Sequence, residues 1–350
     1  MRIKRLLLIF TLLVGCVIPS RAISFNLDSI AAWGKFPRFC VNTYRWGDHF
    51  FNGYDTTYVT GTGYKFNIKA KSDSSIDYYN FDMPNEMRMR MASQPSTSAG
   101  IWLTYMAVSV GYDKNFSNIF GWTGHDKQQL SFEFNCSLFA CNLYYIDNKG
   151  GMQILRFGRK GATYNPGISF HGANSRVFGL DAYYFFNHKK YSQGAAFSFS
   201  RVQQKSQGSF FAGFSYSNHD WRFDFSRLPD YMKASLPSDW IGYVYSARTR
   251  NYALKVGYGY NWVFAPGWCL CAHASPVFGW KKGYINNPNV VKNTFALSSV
   301  GKLSVVWNHK QWFAGMVGSI NLDLIYDKVS TFENGTGSLI VSAGYRFNLW

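Results

Sequence analysis

Long stretches of this chain alternate strictly between apolar and polar side chains, and the stretches exceed an ordinary strand. From Tyr64 to Lys71 the two sets are Tyr64, Phe66, Ile68 and Ala70 against Lys65, Asn67, Lys69 and Lys71. The pattern returns at Tyr252, Leu254, Val256, Tyr258, Tyr260 and Trp262, with Asn251, Lys255, Gly257, Gly259 and Asn261 interleaved. It returns in Trp312, Ala314, Met316, Ile320, Leu322, Leu324 and Tyr326, and again in Leu339, Val341, Ala343, Tyr345, Phe347 and Leu349. Successive side chains of an extended strand point to opposite faces, so each segment has one greasy face and one polar face. A soluble strand typically has about five or six residues, whereas one that crosses a bilayer needs about nine to eleven.

Aromatic residues make up 19% of the chain, and they bracket the alternating segments: Tyr252 and Trp262 end one, Trp312 and Tyr326 another. Rings at both strand ends fit the two interfacial girdles of a membrane barrel. Closure is then required, because an open sheet edge in hydrocarbon leaves N–H and C=O groups unpaired at several kcal/mol each. Past Ile18 no run of about 18 apolar residues occurs, which excludes a bundle of transmembrane helices. The expected fold is therefore all-β, a transmembrane antiparallel up-and-down β-barrel of about twelve strands with a short N-terminal helical arm.

The candidate strands are Thr62 to Lys71, Ser75 to Met83, Ala99 to Asp113, Gln128 to Tyr145, Arg176 to Asn187, Gln193 to Gln203, Ser209 to Arg222, Asn251 to Phe264, Trp268 to Trp280, Thr294 to Asn308, Gln311 to Tyr326 and Gly337 to Leu349. An even count puts both termini in the periplasm, where the tight turns Ala265-Pro266-Gly267 and Asn308-His309-Lys310 belong. Ser226 to Arg250, Lys281 to Asn293 and Asp327 to Thr336 then face outside. Asp147 to Ser175 becomes a periplasmic connection of unusual length, so ten or fourteen strands are also compatible. Before the barrel, Phe39, Thr43, Trp46 and Phe50 recur at helical spacing, and Asp28 is placed to cap a turn. This predicts a short helix at the periplasmic mouth, within an arm spanning residues 23–61 ahead of a barrel spanning 62–350. Trp350 falls on the opposite parity from Phe347 and Leu349, against the usual lipid-facing terminal aromatic.

Arg2, Lys4 and Arg5 precede an apolar stretch from Leu6 to Ile18, followed by Pro19-Ser20-Arg21-Ala22. That three-part form is a secretory signal over residues 1–22, so the chain is expected to leave the cytoplasm for the outer membrane of a Gram-negative cell. The rival reading is a lipoprotein box, Leu13-Val14-Gly15-Cys16, with Cys16 lipidated; the apolar stretch running on through Val17 and Ile18 opposes it. Cys40, Cys136, Cys141, Cys269 and Cys271 remain, an odd number that does not read as a disulfide framework. Cys269, Cys271 and His273 share one strand face, a weak metal signal beside the plainer reading of small interior residues.

Asn187-His188-Lys189-Lys190-Tyr191-Ser192, Ala195-Ala196-Phe197 and Gln204-Lys205-Ser206-Gln207-Gly208-Ser209 together resemble the Bacteroidota exported family labelled domain of unknown function 4421. Tyr54-Asp55-Thr56-Thr57-Tyr58-Val59 and Gly257-Tyr258-Gly259-Tyr260-Asn261 extend the resemblance, which covers roughly Gly53 to the end. It implies an outer-membrane barrel without an established activity, so it assigns no catalytic, cofactor or metal residue.

A barrel enzyme would need a Ser and His near the rim. His188 with Ser192, or Ser217 with His219, are the pairs that could be drawn this way, although Ser and His are residue types ordinarily found in loops. Lys65, Lys69, Lys71, Lys255 and Arg346 fall on the polar parity, with Glu133, Asp224 and Asp323 as candidate partners, within a formal net charge of +17. Such an interior is either a plug of paired side chains or a narrow, anion-preferring passage. The reading is a non-enzymatic, porin-like barrel: a passive or structural membrane component, or a small channel. A lipid-modifying enzyme and a lipid-anchored surface binding module are the alternatives. Its expected partners are outer-membrane lipid, lipopolysaccharide and the barrel-assembly machinery. No cofactor is implied, export disfavours nucleic acid, and the barrel is expected to be a monomer.

Overall fold

The computed structural model describes residues 27–82, 86–116, 125–236, 238, 241–285, 292–326 and 331–349. The signal segment with Cys16, and Trp350, lie outside these residues. Two helices come first, α1 (Leu27–Ala31) and α2 (Lys35–Asn52). The strands follow in chain order: β1 (Val59–Gly61), β2 (Phe66–Asp82), β3 (Met87–Ser93), β4 (Ser96–Tyr105), β5 (Val108–Asn115), β6 (His125–Asn135), β7 (Phe139–Gly150), β8 (Met152–Arg159), β9 (Ile168–Phe170), β10 (Ala173–Phe185), β11 (Arg201–Gln203), β12 (Gln207–Asp224), β13 (Val244–Ala265), β14 (Trp268–Ile285), β15 (Lys292–His309), β16 (Trp312–Tyr326) and β17 (Thr331–Phe347).

Twelve of these strands, β2, β4 to β7, β10 and β12 to β17, pair antiparallel in that order. The last then meets the first, in register from Phe347↔Phe66 to Thr331↔Asp82, so the sheet closes. Closure satisfies both edges at once, which is what a hydrocarbon surrounding demands. Outward side chains such as Leu254, Leu303, Ile320 and Leu322 are 52–63% exposed, while their strand neighbours Ala253, Lys255, Ser304 and Val306 are buried. In a soluble sheet the greasy set would be the covered one; here it faces out, as lipid contact requires.

The outer rings gather in two belts. At the tight-turn end Phe264, Trp268 and Trp307 stand in a row, with centroids 6.0 and 6.4 Å apart, and Trp312 meets Tyr345 at 4.9 Å. At the opposite end Tyr216 lies 5.2 Å from Tyr252, whose partner across β14 is Trp280, itself paired with Phe295. With a rise of about 3.3 Å per residue and a tilt of about 40°, the stretch from Tyr252 to Trp262 spans about 25 Å of membrane thickness, the height of an outward apolar band.

The six C-terminal strands stand where the alternation placed them. The N-terminal half reaches the same total by different pieces. Thr62 to Lys71 and Ser75 to Met83 merge into one strand, β2, which starts only at Phe66, leaving Thr62 to Lys65 outside it, and is described as far as Asp82. The cluster Ser72-Asp73-Ser74-Ser75 imitates a turn, yet Asp73 points into the lumen and pairs with Lys71 at 3.6 Å. Ala99 to Asp113 is a hairpin, β4 and β5, turning at Met106-Ala107 with Met106 in the left-handed region (φ 52°). Gln128 to Tyr145 is likewise two strands, β6 and β7, turning at residues 136–138. Neither turn contains the glycine, proline, asparagine or aspartate that marks such turns in sequence. Gln193 to Gln203 is no barrel strand: a π-helical turn, Gly194–Ser198, leads into the three residues of β11.

The missed turn between β6 and β7 inverts the expected phase of Asp147 to Ser175. The connection between β7 and β10 lies at the long-loop end, where β8 pairs with β3 and β9 with β8. There Met87, Met89, Met91, Ile154, Phe157 and Phe170 join Phe223, Phe225, Leu228 and Met232 from the β12–β13 side in one buried cluster. A loop-borne apolar core thus covers the long-loop end. The hollow beside it, lined by Tyr79, Asn148, Met152, Ala173, Asn174, Ser175 and Phe223, has space for about one water molecule.

In the N-terminal unit Asp28 does not cap from outside. It sits in the first turn of α1, and its carboxylate accepts from Arg45 of α2 at 2.6 Å.

Candidate functional site

The connection from β10 to β12, residues 186–206, starts and ends at the tight-turn end, because Phe185 pairs with Phe211 and Gln207 with Asn261. It is long for that end, and it turns inward. Tyr191, Ala195, Ala196 and Phe199 are at most 1% exposed. Phe199 stacks on Phe313 of β16 at 4.8 Å, and Tyr191 lies 5.8 Å from Phe185. Phe199 itself is left-handed (φ 60°) and ends the π-helical turn, its N–H donating to the Gly194 carbonyl.

The barrel wall is shaped to receive this segment. Gly259 faces inward opposite Tyr191, and a Cβ there would come within 2.5 Å of the Tyr191 hydroxyl oxygen. Gly315 plays the same part for Phe199, where a Cβ would stand 2.6 Å from the ring. Asn261, wholly buried, donates from Nδ2 to the Ser192 carbonyl and to Gln203 Oε1, both at 3.0 Å. Gln203 in turn accepts from the Ser192 N–H (3.0 Å) and donates to the carbonyls of Lys190 (2.7 Å) and Lys205 (2.9 Å). Arg346 of β17, 2% exposed, donates to the Phe199 carbonyl at 2.8 Å and to Asn308, with its guanidinium 4.6 Å from the Phe313 ring centre.

The strap ahead of the barrel binds the same segment. β1 pairs with β11, Val59↔Gln203 to Gly61↔Arg201. The Asp55 N–H donates to the Lys189 carbonyl at 2.7 Å, the ring of Tyr58 lies under Lys190 at 5.0 Å and Lys205 at 5.5 Å, and Arg201 covers Tyr54 at 4.6 Å. Asp55 accepts from the Thr57 hydroxyl (2.7 Å) and N–H (2.9 Å). These bonds, the hydroxyl's first, together with Lys190 and Lys205, hold its carboxyl below the ordinary carboxylate value. The motifs that carried the resemblance therefore meet at one place. Tyr54 to Val59 straps the segment, Asn187 to Ser192 and Ala195 to Phe197 form it, and Gly257 to Asn261 is its seat.

Behind the segment the lumen is filled by paired charges. Lys71 lies 3.2 Å from Asp113, Lys255 2.6 Å from Asp181, and Lys281 is ion-paired with Asp323. Asp323 was an expected partner; Asp73, Asp113 and Asp181 were not singled out, although their strand parity could have found them. Asp224 instead holds Ser226 and Arg227 at the long-loop end. Lys69, Lys302 and Arg346 make no ion pair among the described residues and face rings. Lys69 is 4.7 Å from Trp102 and 5.5 Å from Phe199, and Lys302 is 5.8 Å from Phe197.

Of the Ser and His pairs, His188 and Ser192 are not joined: the Ser192 hydroxyl accepts from the Ala195 N–H at 3.1 Å, and His188 Nδ1 has no partner among the described residues. Ser217 and His219 are joined, Oγ to Nε2 at 3.0 Å, side by side on β12. His219 stacks on Trp221 at 4.6 Å and its Nδ1 is unpartnered among the described residues, so no carboxylate orients it; Ser217 is 4% exposed. Cys269, Cys271 and His273 do share the inner face of β14 and are buried. All described cysteines are free, and no three His, Cys, Asp or Glu among the described residues stand close enough to hold a metal ion.

A closed sheet with a greasy exterior, a charged interior and an inturned segment at one mouth defines a membrane β-barrel. The chain belongs to the family described as domain of unknown function (DUF4421), whose pattern matches residues 53–347. No curated protein matches it in sequence. Among solved structures it is similar to the outer membrane protease OmpT from Escherichia coli, at 8% identity and TM-score 0.38, covering 81% of this chain and 97% of that one. It is also similar to the β domain of the Bordetella autotransporter BrkA, at 8% identity, TM-score 0.35 and coverage of 81% and 100%. A third is an outer membrane channel from Pseudomonas putida, at 10% identity, TM-score 0.33 and coverage of 82% and 97%. Likeness at this level says nothing about shared activity.

Proposed function

We propose that this protein is an outer-membrane barrel that serves as a sealed structural component of the envelope, exported by its N-terminal signal and without enzymatic activity. One observation carries this reading: the tight-turn mouth is closed by the chain's own segment, with Phe199 buried between Phe313, Lys69 and the Arg346 donor that holds its carbonyl. The apolar cluster at the other end, led by Met89, Ile154 and Phe225, supports it. Ion pairs such as Lys255 with Asp181 satisfy part of the interior charge, and Lys69, Lys302 and Arg346, without an ion pair among the described residues, are each set against an aromatic ring. Ser217 is too deeply covered to meet a lipid, which speaks against the lipid-modifying alternative. Lipid and lipopolysaccharide are the barrel's partners in this reading, the assembly machinery inserts it, and it works as a monomer.

Purified protein inserted in a planar bilayer tests it. The sealed barrel gives no stepwise current at physiological salt. Stable, reproducible ion steps from the wild-type protein would replace this reading with that of a channel.

A further inference from the structure

We infer that Arg250 of β13 and Lys282 of β14 form an outward-facing site for a phosphate monoester of lipid A, the phosphorylated glycolipid anchor of lipopolysaccharide. The inference rests on the reading of the protein as an outer-membrane barrel and names the place where its lipid partner is held. Arg250 and Lys282 stand directly opposite each other in the ladder. Two positions nearer the middle of the barrel, Tyr252 and Trp280 also stand opposite each other, and both are exposed. Alternation turns Arg250 and Lys282 to the same lipid side, where they too are exposed. Ala253 and Lys281, of the other parity, are buried.

This pairing works against the sheet. Like charges directly opposite on one face are destabilising, and paired Cα atoms of an antiparallel ladder lie only about 4.5–5.5 Å apart. Neither cation makes an ion pair among the described residues. Neighbouring cations on this face are treated differently: Arg248 is paired with Asp220 at 3.0 Å, and Arg176 with Asp147 at 3.3 Å. The row runs on to Asn218 of β12, opposite Arg250, and to Asn293 of β15, opposite Lys282. Four adjacent strands thus present amide, guanidinium, ammonium and amide at one height, each able to donate hydrogen bonds.

Height and charge select the occupant. With a rise of about 3.3 Å per residue and a tilt of about 40°, Arg250 and Lys282 stand roughly 5 Å beyond the rings of Tyr252 and Trp280. The headgroup layer on each side of a bilayer is about 5–7 Å deep, so the two cations lie among headgroups. The acyl chains of a lipid held there run down the outer face along the exposed Leu254 and Phe278. A phosphate monoester carries about −1.5 to −2 at neutral pH and offers three acceptor oxygens, which matches a pair of cations. The diester of an ordinary phospholipid carries a single negative charge and matches only half of the pair. In this reading the long-loop end faces outside, which is the leaflet of lipopolysaccharide.

The purified mature protein in detergent is titrated with lipid A, with dephosphorylated lipid A and with phosphatidylglycerol, and bound lipid is counted by native mass spectrometry. Lipid A should be held about tenfold or more tightly than either of the others. Arg250→Ser with Lys282→Ser should abolish that advantage, since each charge-assisted contact is worth about tenfold or more. Arg176→Ser, at an arginine already paired, should preserve it. Millimolar inorganic phosphate should not displace lipid A. Resistance to detergent before heating shows that each variant is folded. Equal retention of lipid A and phosphatidylglycerol, equal retention by the double variant and its parent, or displacement by inorganic phosphate overturns the site alone. A wild-type protein without a heat-modifiable band would overturn the barrel reading, and the site with it.

Discussion

Substituting Asn261→Ala should loosen the inturned segment without opening the barrel. Asn261 keeps its backbone pairings with Gln207 and Cys271 in the variant, so the wall is unchanged. What is lost is the pair of Nδ2 donations to the Ser192 carbonyl and Gln203 Oε1. Gln203 Oε1 still accepts from the Ser192 N–H, whereas the Ser192 carbonyl is left buried without that donor, at a cost of about 1–3 kcal/mol on top of the bonds themselves. Part of this is recovered, because the Asn261 Oδ1 that disappears has no partner among the described residues. A net loss of about 1–3 kcal/mol in docking multiplies the undocked fraction roughly 5- to 150-fold. Cys269 and Cys271, 4% and 0% exposed, report on undocking, since Tyr191 sits over Gly259 on the wall, two residues from Asn261, which pairs with Cys271. In protein with Cys40, Cys136 and Cys141 changed to Ser, labelling by a water-soluble maleimide in detergent should accelerate by that factor. The lipid-facing control Tyr260→Phe should leave it unchanged. Equal labelling rates in Asn261→Ala and its parent would refute the docking reasoning.

Gly259→Val should accelerate the same labelling, because its Cβ has to displace Tyr191; an unchanged rate would mean that Tyr191 is not seated there. Asp323→Asn leaves Lys281 buried without its carboxylate and should lower stability by about 3–5 kcal/mol in denaturant unfolding from detergent. The double change Lys281→Met with Asp323→Leu should cost far less, and equal losses in the two variants would show that pairing is not what matters. Leu254→Arg places a charge on the outward band and should weaken folding into lipid by about 2–4 kcal/mol, read as a lower fraction of heat-modifiable band on a gel. Ser at Ala253, on the inner face, should be tolerated by comparison.

The outer face was legible because lipid imposes one rule on every strand: each second residue must be apolar. Hence Tyr252 to Trp262 and Trp312 to Leu324 declared their parity from sequence alone. The inner face obeys no such rule. Asp73 and the serines around it read as a turn because their satisfaction comes from Lys71 and from neighbouring strands, contacts that sequence spacing does not encode. The turns at Met106-Ala107 and Cys136-Ser137-Leu138 carry no glycine, proline, asparagine or aspartate, so two hairpins each passed for one long strand. The inturned segment was the hardest to place. Ala195-Ala196-Phe197-Ser198-Phe199 is apolar enough for a strand, and only the cavity formed by Gly259, Gly315 and Asn261 on distant strands makes its inward fold possible. The motifs that suggested the family were thus visible as words, while their common purpose at the mouth required the closed ring.

Closure itself is tested by a disulfide across the seam. Ala70 on β2 and Ala343 on β17 stand directly opposite, at opposite ends of the barrel's sequence. Paired Cα atoms of an antiparallel ladder lie about 4.5–5.5 Å apart, within disulfide reach. In protein without the signal segment, with Cys40, Cys136, Cys141, Cys269 and Cys271 replaced by Ser, Ala70→Cys with Ala343→Cys should oxidise to a link that shifts gel mobility after boiling and is reversed by reductant. Ala314→Cys with Ala343→Cys, across the ordinary neighbours β16 and β17, is the positive control. Crosslinking in both pairs is the predicted result. Crosslinking at Ala314 and Ala343 but none at Ala70 and Ala343 would mean an open sheet, and the membrane barrel would fall with it.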